Sequence, residues 1–156
     1  MKLEIQDLKN VLVLGAGTLG LRVGLQSAIS GFNTTIYDVN EDALVKAKRT
    51  HEGILKSLLN LDKITAEEAD AARARLTFTT NAETAAADAD FINESVTEDL
   101  DLKRKVWSQF GELCPDKTIF TSNTSYLLPS QLADASGRPE RFCNYHFHDV
   151  FYSNVV

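Results

Sequence analysis

Cysteine and histidine are scarce in this chain, which has two cysteines and three histidines among 156 residues. Cys114 and Cys143 form neither a C-x-x-C pair nor a spacing typical of metal ligands. The sequence therefore predicts no metal site, and both cysteines are expected to be reduced apolar side chains in a cytoplasmic protein. A chain of this length buries a core without disulfide or metal cross-links.

Long runs of one residue class are missing as well. The net charge is −6 and the longest basic run is Lys103-Arg104-Lys105, which argues against nucleic acid as the main partner. No apolar stretch reaches the length of a membrane span, and residues 1–7 are too polar and acidic for a signal peptide. Length and composition instead predict a single globular domain.

Apolar, strand-forming segments alternate with segments of helical periodicity. This alternation predicts an α/β fold with a mostly parallel sheet and helices on both faces. Asn40, the Thr65–Glu68 capping box and Pro129 mark three helix starts. Strands are predicted near residues 10–15, 33–38, 76–80, 89–95, 118–123 and 141–148, and helices near 18–30, 41–60, 65–75, 82–87, 99–113 and 129–135.

A glycine cluster, Gly15-Ala16-Gly17-Thr18-Leu19-Gly20, stands between the first strand and the first helix. Gly15 permits a tight turn, Gly17 lets the backbone approach a pyrophosphate, and Gly20 lets the helix pack on the strand. The free N–H groups at the helix start, on Thr18 and Leu19, favour phosphate. The cluster predicts a Rossmann-type, doubly wound sheet with a dinucleotide site; a tight turn that binds nothing is the alternative.

Asp38 ends the second predicted strand, 18 residues after the last glycine of the cluster. A carboxylate here accepts hydrogen bonds from the adenosine ribose and repels the additional phosphate of NADP. No arginine follows it in Val39-Asn40. The sequence therefore predicts NAD as the cofactor.

The connection between the second and third strands is longer than one crossover helix requires. Residues 39–75 contain two helical patterns separated by a turn near residues 60–63. They predict a helical hairpin, about residues 41–75, inserted after the second strand and able to project from the domain. His51 lies on its apolar side and is expected to be a packed core residue.

Three further segments carry polar groups near predicted strand ends, where ligands bind in open α/β sheets. The first, Asn93–Glu98, contains Glu94 and Glu98, and the alternative for Glu98 is a first-turn acid of the next helix. The second, Ser122–Ser125, either holds a polar ligand or satisfies its own turn. In the third, Tyr145–Asp149, His146 ends a strand and is a candidate general base toward an alcohol.

Together these features resemble the NAD-binding domain of the L-3-hydroxyacyl-CoA dehydrogenase family over essentially the whole chain. The Ser-Asn-Thr-Ser run with the His-Phe pair is the specific part of the likeness, because an ordinary Rossmann domain lacks it. The resemblance implies that His146 is the catalytic acid–base group and that Ser125 hydrogen-bonds the substrate oxygen. It implies cofactor contacts from Gly15, Gly17, Thr18, Leu19, Gly20, Asp38, Glu98, Lys103, Asn123, Ser125 and Asp149.

The resemblance also implies a role for the hairpin, which contacts CoA in that family. Lys56 and Lys63 are candidates for this contact by charge alone. The last segment departs from the family's usual His-Phe-Phe-Asn-Pro, because Asp149 replaces an asparagine that contacts the cofactor. The family pairs its histidine with a glutamate about a dozen residues later. We expect the chain to be cut near a domain boundary, before the C-terminal helical domain that completes the family's substrate site and forms its homodimer.

The leading hypothesis is an NAD-dependent oxidoreductase that interconverts a 3-hydroxyacyl-CoA, of short chain such as 3-hydroxybutyryl-CoA, and the 3-ketoacyl-CoA. A 3-hydroxy acid without CoA is an alternative substrate. A nucleotide-binding module without turnover is the alternative from another functional class. A β-hydroxyacid dehydrogenase with a catalytic lysine ranks lower, because no lysine lies beside the Ser122–Ser125 or His146-Phe147 segments.

Overall fold

The computed structural model describes residues 5–148 and residue 151. Its strands are β1 (Asn10–Leu14), β2 (Asn33–Tyr37), β3 (Leu76–Thr79), β4 (Phe91–Glu94), β5 (Ile119–Ser122) and β6 (Phe142–Asn144). They form one sheet in the order β3-β2-β1-β4-β5-β6, and every neighbouring pair is parallel. This is the doubly wound Rossmann-type order, so the predicted fold is confirmed, with a sheet that is parallel throughout.

Six α-helices connect these strands, and the predicted start signals are confirmed. Asn40 Oδ1 accepts from the Asp42 N–H at 2.9 Å, Thr65 and Glu68 form the reciprocal capping box, and Pro129 opens the last helix. Within residues 5–148 and 151, no helix has both the length and the apolar composition needed to cross a membrane. The helices are α1 (Thr18–Ile29), α2 (Glu41–Asn60), α3 (Ala66–Arg75), α4 (Ala82–Ala86), α5 (Leu100–Leu113) and α6 (Pro129–Leu132).

Alternating side chains of the strands build a separate core on each face of the sheet, as the two-residue period of a strand requires. On one face, Leu12 and Phe120 pack among the buried Trp107 and Phe110 of α5. On the other face, the side chains come from the central strands and from α1 and α2, and they include Val11, Val13, Ile36, Leu21, Val23, Leu44 and Ala47.

Helices α2 and α3 form the two arms of the predicted hairpin, but they do not project freely. Leu55 of α2 and Ala69 of α3 pack with Leu25 of α1 in a third buried cluster. His51 is buried on the same side, with its Nε2 2.6 Å from the Leu21 carbonyl oxygen, and burial lowers the pKa of its imidazole. His51 is therefore the packed core residue that the sequence predicts.

The last strand is shorter than predicted. It ends at Asn144, and only the Tyr145 N–H continues the ladder, donating to the Ser122 carbonyl at 2.9 Å. The next residues leave the ladder because their polar groups turn to Asn123. His146 therefore lies two residues beyond the strand rather than at its end.

Two glycines inside helices predict opposite effects of the same substitution. Gly53 in α2 has open space where a Cβ would stand, whereas a Cβ on Gly111 in α5 would lie 2.1 Å from the Ser136 carbonyl oxygen. We expect Gly53→Ala to raise the free energy of unfolding by about 0.5–1 kcal/mol through helix propensity. Gly111→Ala should lower it by about 1–3 kcal/mol through overpacking. Urea unfolding followed by circular dichroism measures both, and equal stabilisation would contradict this packing of α5.

Candidate functional site

A cleft of about 420 Å³ lies at the carboxyl ends of β1, β2 and β4. The strand order reverses where β1 lies between β2 and β4, and ligands of doubly wound sheets bind at such a point. The glycine turn, the end of β2, the segment after β4 and helix α5 all border the cleft. Their lining residues include Gly15, Gly17, Asp38, Ser95, Thr97 and Gln109.

At each of the three glycines of the turn, a side chain would strain the backbone, collide with a neighbouring atom or take up space in the cleft. Gly15 has a φ of 99°, a left-handed conformation that favours glycine. A Cβ on Gly20 would lie 2.0 Å from the Gly15 carbonyl oxygen, so helix α1 starts against the turn itself. A Cβ on Gly17 would meet nothing within 4 Å, which leaves this backbone open toward the cleft. The turn therefore has the cradle that a pyrophosphate requires.

The N-terminus of α1 also favours an anion because its backbone N–H groups have no side-chain cap from residues 5–148 or 151. Gly17 is its N-cap residue, and within the described part of the chain no side chain caps this helix. Helices α2 to α5 are all capped, by Asn40, Thr65, Asn81 and Asp99. The first-turn N–H groups of α1, on Thr18 and Leu19, are thus left for a ligand with the positive end of the helix dipole behind them.

Asp38 lies half-buried at the end of β2 and ties two loops together. Its Oδ2 accepts from the Ala16 N–H of the glycine turn at 2.8 Å, and its Oδ1 accepts from the Asn40 N–H at 2.9 Å. Each carboxylate oxygen has a further lone pair, because an ionised carboxylate offers about four acceptor sites. The carboxylate is therefore oriented by the backbone and still able to bind ribose hydroxyls in the cleft.

A buried ion pair lies beneath the cleft, between Glu94 at the end of β4 and Lys103 of α5. Lys103 Nζ is 2.6 Å from Glu94 Oε1, and the two side chains are 1% and 0% exposed. The second Glu94 oxygen accepts from Ser122 Oγ of β5 at 2.6 Å. The Lys103 ammonium also contacts Glu98 Oε2 at 3.0 Å and the Val96 carbonyl at 3.2 Å, so all three of its protons have acceptors.

Glu98 precedes the N-cap of α5 and turns back over this ion pair. The alternative that it is a first-turn acid of the helix is therefore wrong, because α5 begins at Leu100. Burial raises the pKa of the Glu98 carboxyl, but the Thr124 hydroxyl and the Lys103 ammonium outweigh burial and hold it below its usual range. Its stabilising contribution is complete above the pKa of an unfolded glutamate and is lost as the pH falls through the lowered value.

The segment Ser122–Ser125 divides into inward and outward residues. Ser122 binds Glu94, and Thr124 donates to Glu98 and accepts from the Leu127 N–H, so these two hydroxyls serve the fold. Ser125 is exposed, and its hydroxyl makes no hydrogen bond within residues 5–148. Of the two interpretations of this segment, the self-satisfying turn holds for Ser122 and Thr124. The predicted ligand contact of Ser125 stays a prediction.

His146 is half-buried and held by the end of β5. Its Nδ1 lies 2.8 Å from the Asn123 carbonyl oxygen, and since a carbonyl only accepts, Nδ1 carries the proton. In the neutral ring Nε2 then bears the lone pair. His148 is exposed beside it, with ring centroids 4.9 Å apart. Within the described residues, the Asn123 carbonyl is thus the hydrogen-bond partner of this ring.

The structure brings most of the predicted site residues to one edge of the sheet. Asp149 lies outside the described residues, so its predicted cofactor contact stays a prediction. Lys103 is more deeply buried than a ligand contact suggests, and its NAD contact also stays a prediction. Lys56 and Lys63 are exposed on the hairpin.

The sequence pointed to the segment Asn93–Glu98 through its two glutamates, but the contacts of Asn93 and Ser95 within it were not predicted. Asn93 is fully buried in β4, and Ser95 follows the same strand with its Oγ donating to Asn93 Oδ1 at 2.8 Å. One feature of the sequence could have pointed to Asn93. It is an asparagine within the apolar run of a central parallel strand, where near-continuous hydrophobic residues are typical.

With this geometry in place, comparison with known proteins decides the family. Residues 10–151 match the family described as 3-hydroxyacyl-CoA dehydrogenase, NAD binding domain. The chain belongs to the 3-hydroxyacyl-CoA dehydrogenase family. Its cofactor is NAD, as the glycine turn and Asp38 predict.

Similar proteins support this assignment over most of the chain. A probable 3-hydroxyacyl-CoA dehydrogenase of Caenorhabditis elegans is 34% identical over 152 residues, which are 94% of this chain and 50% of that protein. The solved structure of a diketoreductase is 40% identical with a TM-score of 0.84, over 90% of this chain and 50% of the other. That of a (S)-3-hydroxybutyryl-CoA dehydrogenase from Ralstonia eutropha is 30% identical, with a TM-score of 0.86 and the same coverage. The chain spans about half the length of these relatives.

The buried ion pair predicts a large effect of removing its cation. Lys103→Met leaves the Glu94 carboxylate buried without its counter-charge, so we expect the free energy of unfolding to fall by about 3–5 kcal/mol. Lys105→Met, at an exposed position of the same helix, should change it by less than about 0.5 kcal/mol. The double variant with Glu94→Gln should recover part of the loss, because the unpaired charge is gone. Equal urea midpoints for Lys103→Met and Lys105→Met would contradict a stabilising ion pair.

Proposed function

We propose that this chain carries the cofactor site and the acid–base group of an NAD-dependent oxidoreductase that interconverts 3-hydroxyacyl-CoA and 3-ketoacyl-CoA. The observation that carries the proposal is the Asn123–His146 hydrogen bond beside the exposed Ser125, at the same sheet edge as the glycine turn. The relatives from Ralstonia eutropha and Caenorhabditis elegans favour an acyl-CoA substrate, and the former favours a short chain such as 3-hydroxybutyryl-CoA.

The cofactor residues follow from the geometry of the cleft. Gly15, Gly17 and Gly20 with the first-turn N–H groups of Thr18 and Leu19 would hold the pyrophosphate. Asp38 would accept from the adenosine ribose hydroxyls. Bound NAD supplies the hydride chemistry, and the chain positions and polarises the groups around it.

The proton is moved by His146. In the oxidising direction its Nε2 takes the proton of the substrate 3-hydroxyl, and in the reducing direction its Nε2–H gives the proton to the 3-keto oxygen. The Asn123 carbonyl keeps the opposite ring nitrogen protonated in both directions. The Ser125 hydroxyl donates to the same substrate oxygen and holds it near Nε2. Asn123 and Ser125 would also flank the nicotinamide.

A second candidate substrate is a dicarbonyl compound without CoA. The diketoreductase is 40% identical to this chain, and its solved structure concerns the catalysis of dicarbonyl compounds. The two candidates use the same residues and differ in the group attached to the 1,3-dicarbonyl unit. Rates with acetoacetyl-CoA and with a CoA-free 1,3-diketone at equal concentration separate them. NADH binding without turnover of either would favour a nucleotide-binding module.

Asp38 predicts the choice between the two nicotinamide dinucleotides. We expect the chain to bind NADH more tightly than NADPH in calorimetric titrations, because the carboxylate repels a 2′-phosphate. Asp38→Ala should weaken NADH binding about 10- to 100-fold, since hydrogen bonds to a charged group contribute about 1.5–3 kcal/mol, and should reduce the discrimination. The exposed Asp42 of α2 offers a control, and Asp42→Ala should leave both affinities unchanged. Equal or tighter binding of NADPH by the native chain would overturn the assignment.

His146 predicts where turnover is lost. The chain spans about half the length of its relatives, so we expect these 156 residues by themselves to reduce acetoacetyl-CoA slowly. In a protein that joins these residues to the family's C-terminal domain, His146→Gln should lower kcat about 10²- to 10⁴-fold and leave NADH affinity within a few-fold. Ser125→Ala should raise KM as well as lower kcat, because its hydroxyl holds the substrate oxygen.

His148 provides the matched control for this substitution. It is an exposed imidazole next to His146, and His148→Gln should leave kcat near the native value. Only His146→Gln should change the pH profile of kcat, because of the two rings only His146 would exchange a proton with the substrate. A near-native kcat of His146→Gln at every pH tested would show that His146 is a structural residue.

A further inference from the structure

A line of hydrogen bonds runs from the interior of β4 to the segment that carries His146. The Phe147 N–H donates to Asn123 Oδ1 at 2.7 Å. Asn123 Nδ2 donates to Ser95 Oγ at 2.9 Å, and Ser95 Oγ donates to Asn93 Oδ1 at 2.8 Å. The line thus joins the end of β5, the segment after β4 and the segment after β6.

The first bond determines the direction of the others. A backbone N–H only donates, so the amide oxygen of Asn123 faces Phe147 and its amide nitrogen faces Ser95. That nitrogen also only donates, so Ser95 Oγ accepts from it. The Ser95 hydroxyl in turn donates to Asn93 Oδ1. Every donor in the line therefore points the same way, from Phe147 toward Asn93.

Asn123 is held at three points, and its carbonyl is the group that orients His146. Its backbone N–H donates to the Glu94 carbonyl at 2.8 Å, and its side chain is engaged at both the oxygen and the nitrogen. The carbonyl that accepts from His146 Nδ1 is therefore fixed in place. The partner of one imidazole nitrogen sets which tautomer the ring adopts.

Packing alone does not explain Asn93. It is 0% exposed in a central parallel strand, and within residues 5–148 and 151 its Nδ2 has no partner. A buried polar group without a hydrogen bond costs about 1–3 kcal/mol. What the asparagine does provide is the oxygen that accepts the Ser95 proton.

We propose that Asn93 and Ser95 are positioning residues that act through Asn123 to hold His146 with Nδ1 protonated and Nε2 free. The inference rests on the proposed function in one respect, namely that His146 is the acid–base group. Asn93 and Ser95 act on the ring through Asn123 and not on the substrate.

Ser95→Ala tests the proposal, because it removes the hydroxyl and keeps the Cβ that lies against the start of α1. Two quantities are measured by NMR on the ¹⁵N-labelled chain without substrate: the tautomer of the His146 ring and the exchange rate of the Phe147 amide proton. In the native chain we expect the Nδ1–H tautomer. In Ser95→Ala the Phe147 amide should exchange about five- to tenfold faster, and the Nε2–H tautomer should become populated.

Two further variants separate positioning from a general loss of structure. Ser27 is a half-buried serine whose hydroxyl donates to the Val23 carbonyl at 2.9 Å, and Ser27→Ala should change neither quantity. Ser95→Thr restores a hydroxyl at the same position and should return both quantities toward their native values.

The outcomes are distinct. A change of both quantities in Ser95→Ala, absent in Ser27→Ala, supports the proposal. An unchanged tautomer in Ser95→Ala overturns it, whether or not the Phe147 amide exchanges faster, and so does an equal change in Ser27→Ala. Because neither measurement needs substrate, the positioning stands or falls separately from the proposed function, which a near-native kcat of His146→Gln would contradict while leaving the positioning intact.

Discussion

The ion pair between Lys103 and Glu94 is the interaction on which the ligand edge of this domain depends. A charge inside a protein is tolerated only when it is paired and hydrogen-bonded, and here both members have several partners. Glu94 receives Ser122 of the neighbouring strand, and Lys103 reaches Glu98 of the loop above. One buried pair thus connects β4, β5 and α5 beneath the cleft, and it fixes the positions of the polar residues above it.

Most of the architecture could be predicted from the sequence because its signals are local. The residues of β1 and β2, the Asn40 cap and the Thr65–Glu68 capping box act within a few positions of themselves, and the structure has them as expected. The end of β6 was predicted incorrectly for the opposite reason. Residues 145–148 have a strand-like composition, but hydrogen bonds to Asn123, far away in the chain, draw them out of the ladder.

The same distinction between local and long-range signals separates the parts of the candidate site that could be predicted from those that could not. The glycine turn and Asp38 are a local pattern with a known spacing, and they could be found without a structure. The roles of Ser95 and Asn93 depend on which strands become neighbours, since β4 and β5 pair although 24 residues separate their ends. No local pattern records that a hydroxyl after one strand will meet an amide after the next.

Asp38 has a structural role besides its proposed role in binding the cofactor. The carboxylate that we propose binds the adenosine ribose also accepts hydrogen bonds from the Ala16 N–H of the glycine turn and from the Asn40 N–H at the start of α2. Changing the preference of this domain from NAD to NADP therefore requires new hydrogen bonds between these two loops as well as removal of the negative charge. A residue that accommodates the additional phosphate of NADP could not also make the two hydrogen bonds of Asp38. Another group would then have to connect the glycine turn after β1 to the start of α2.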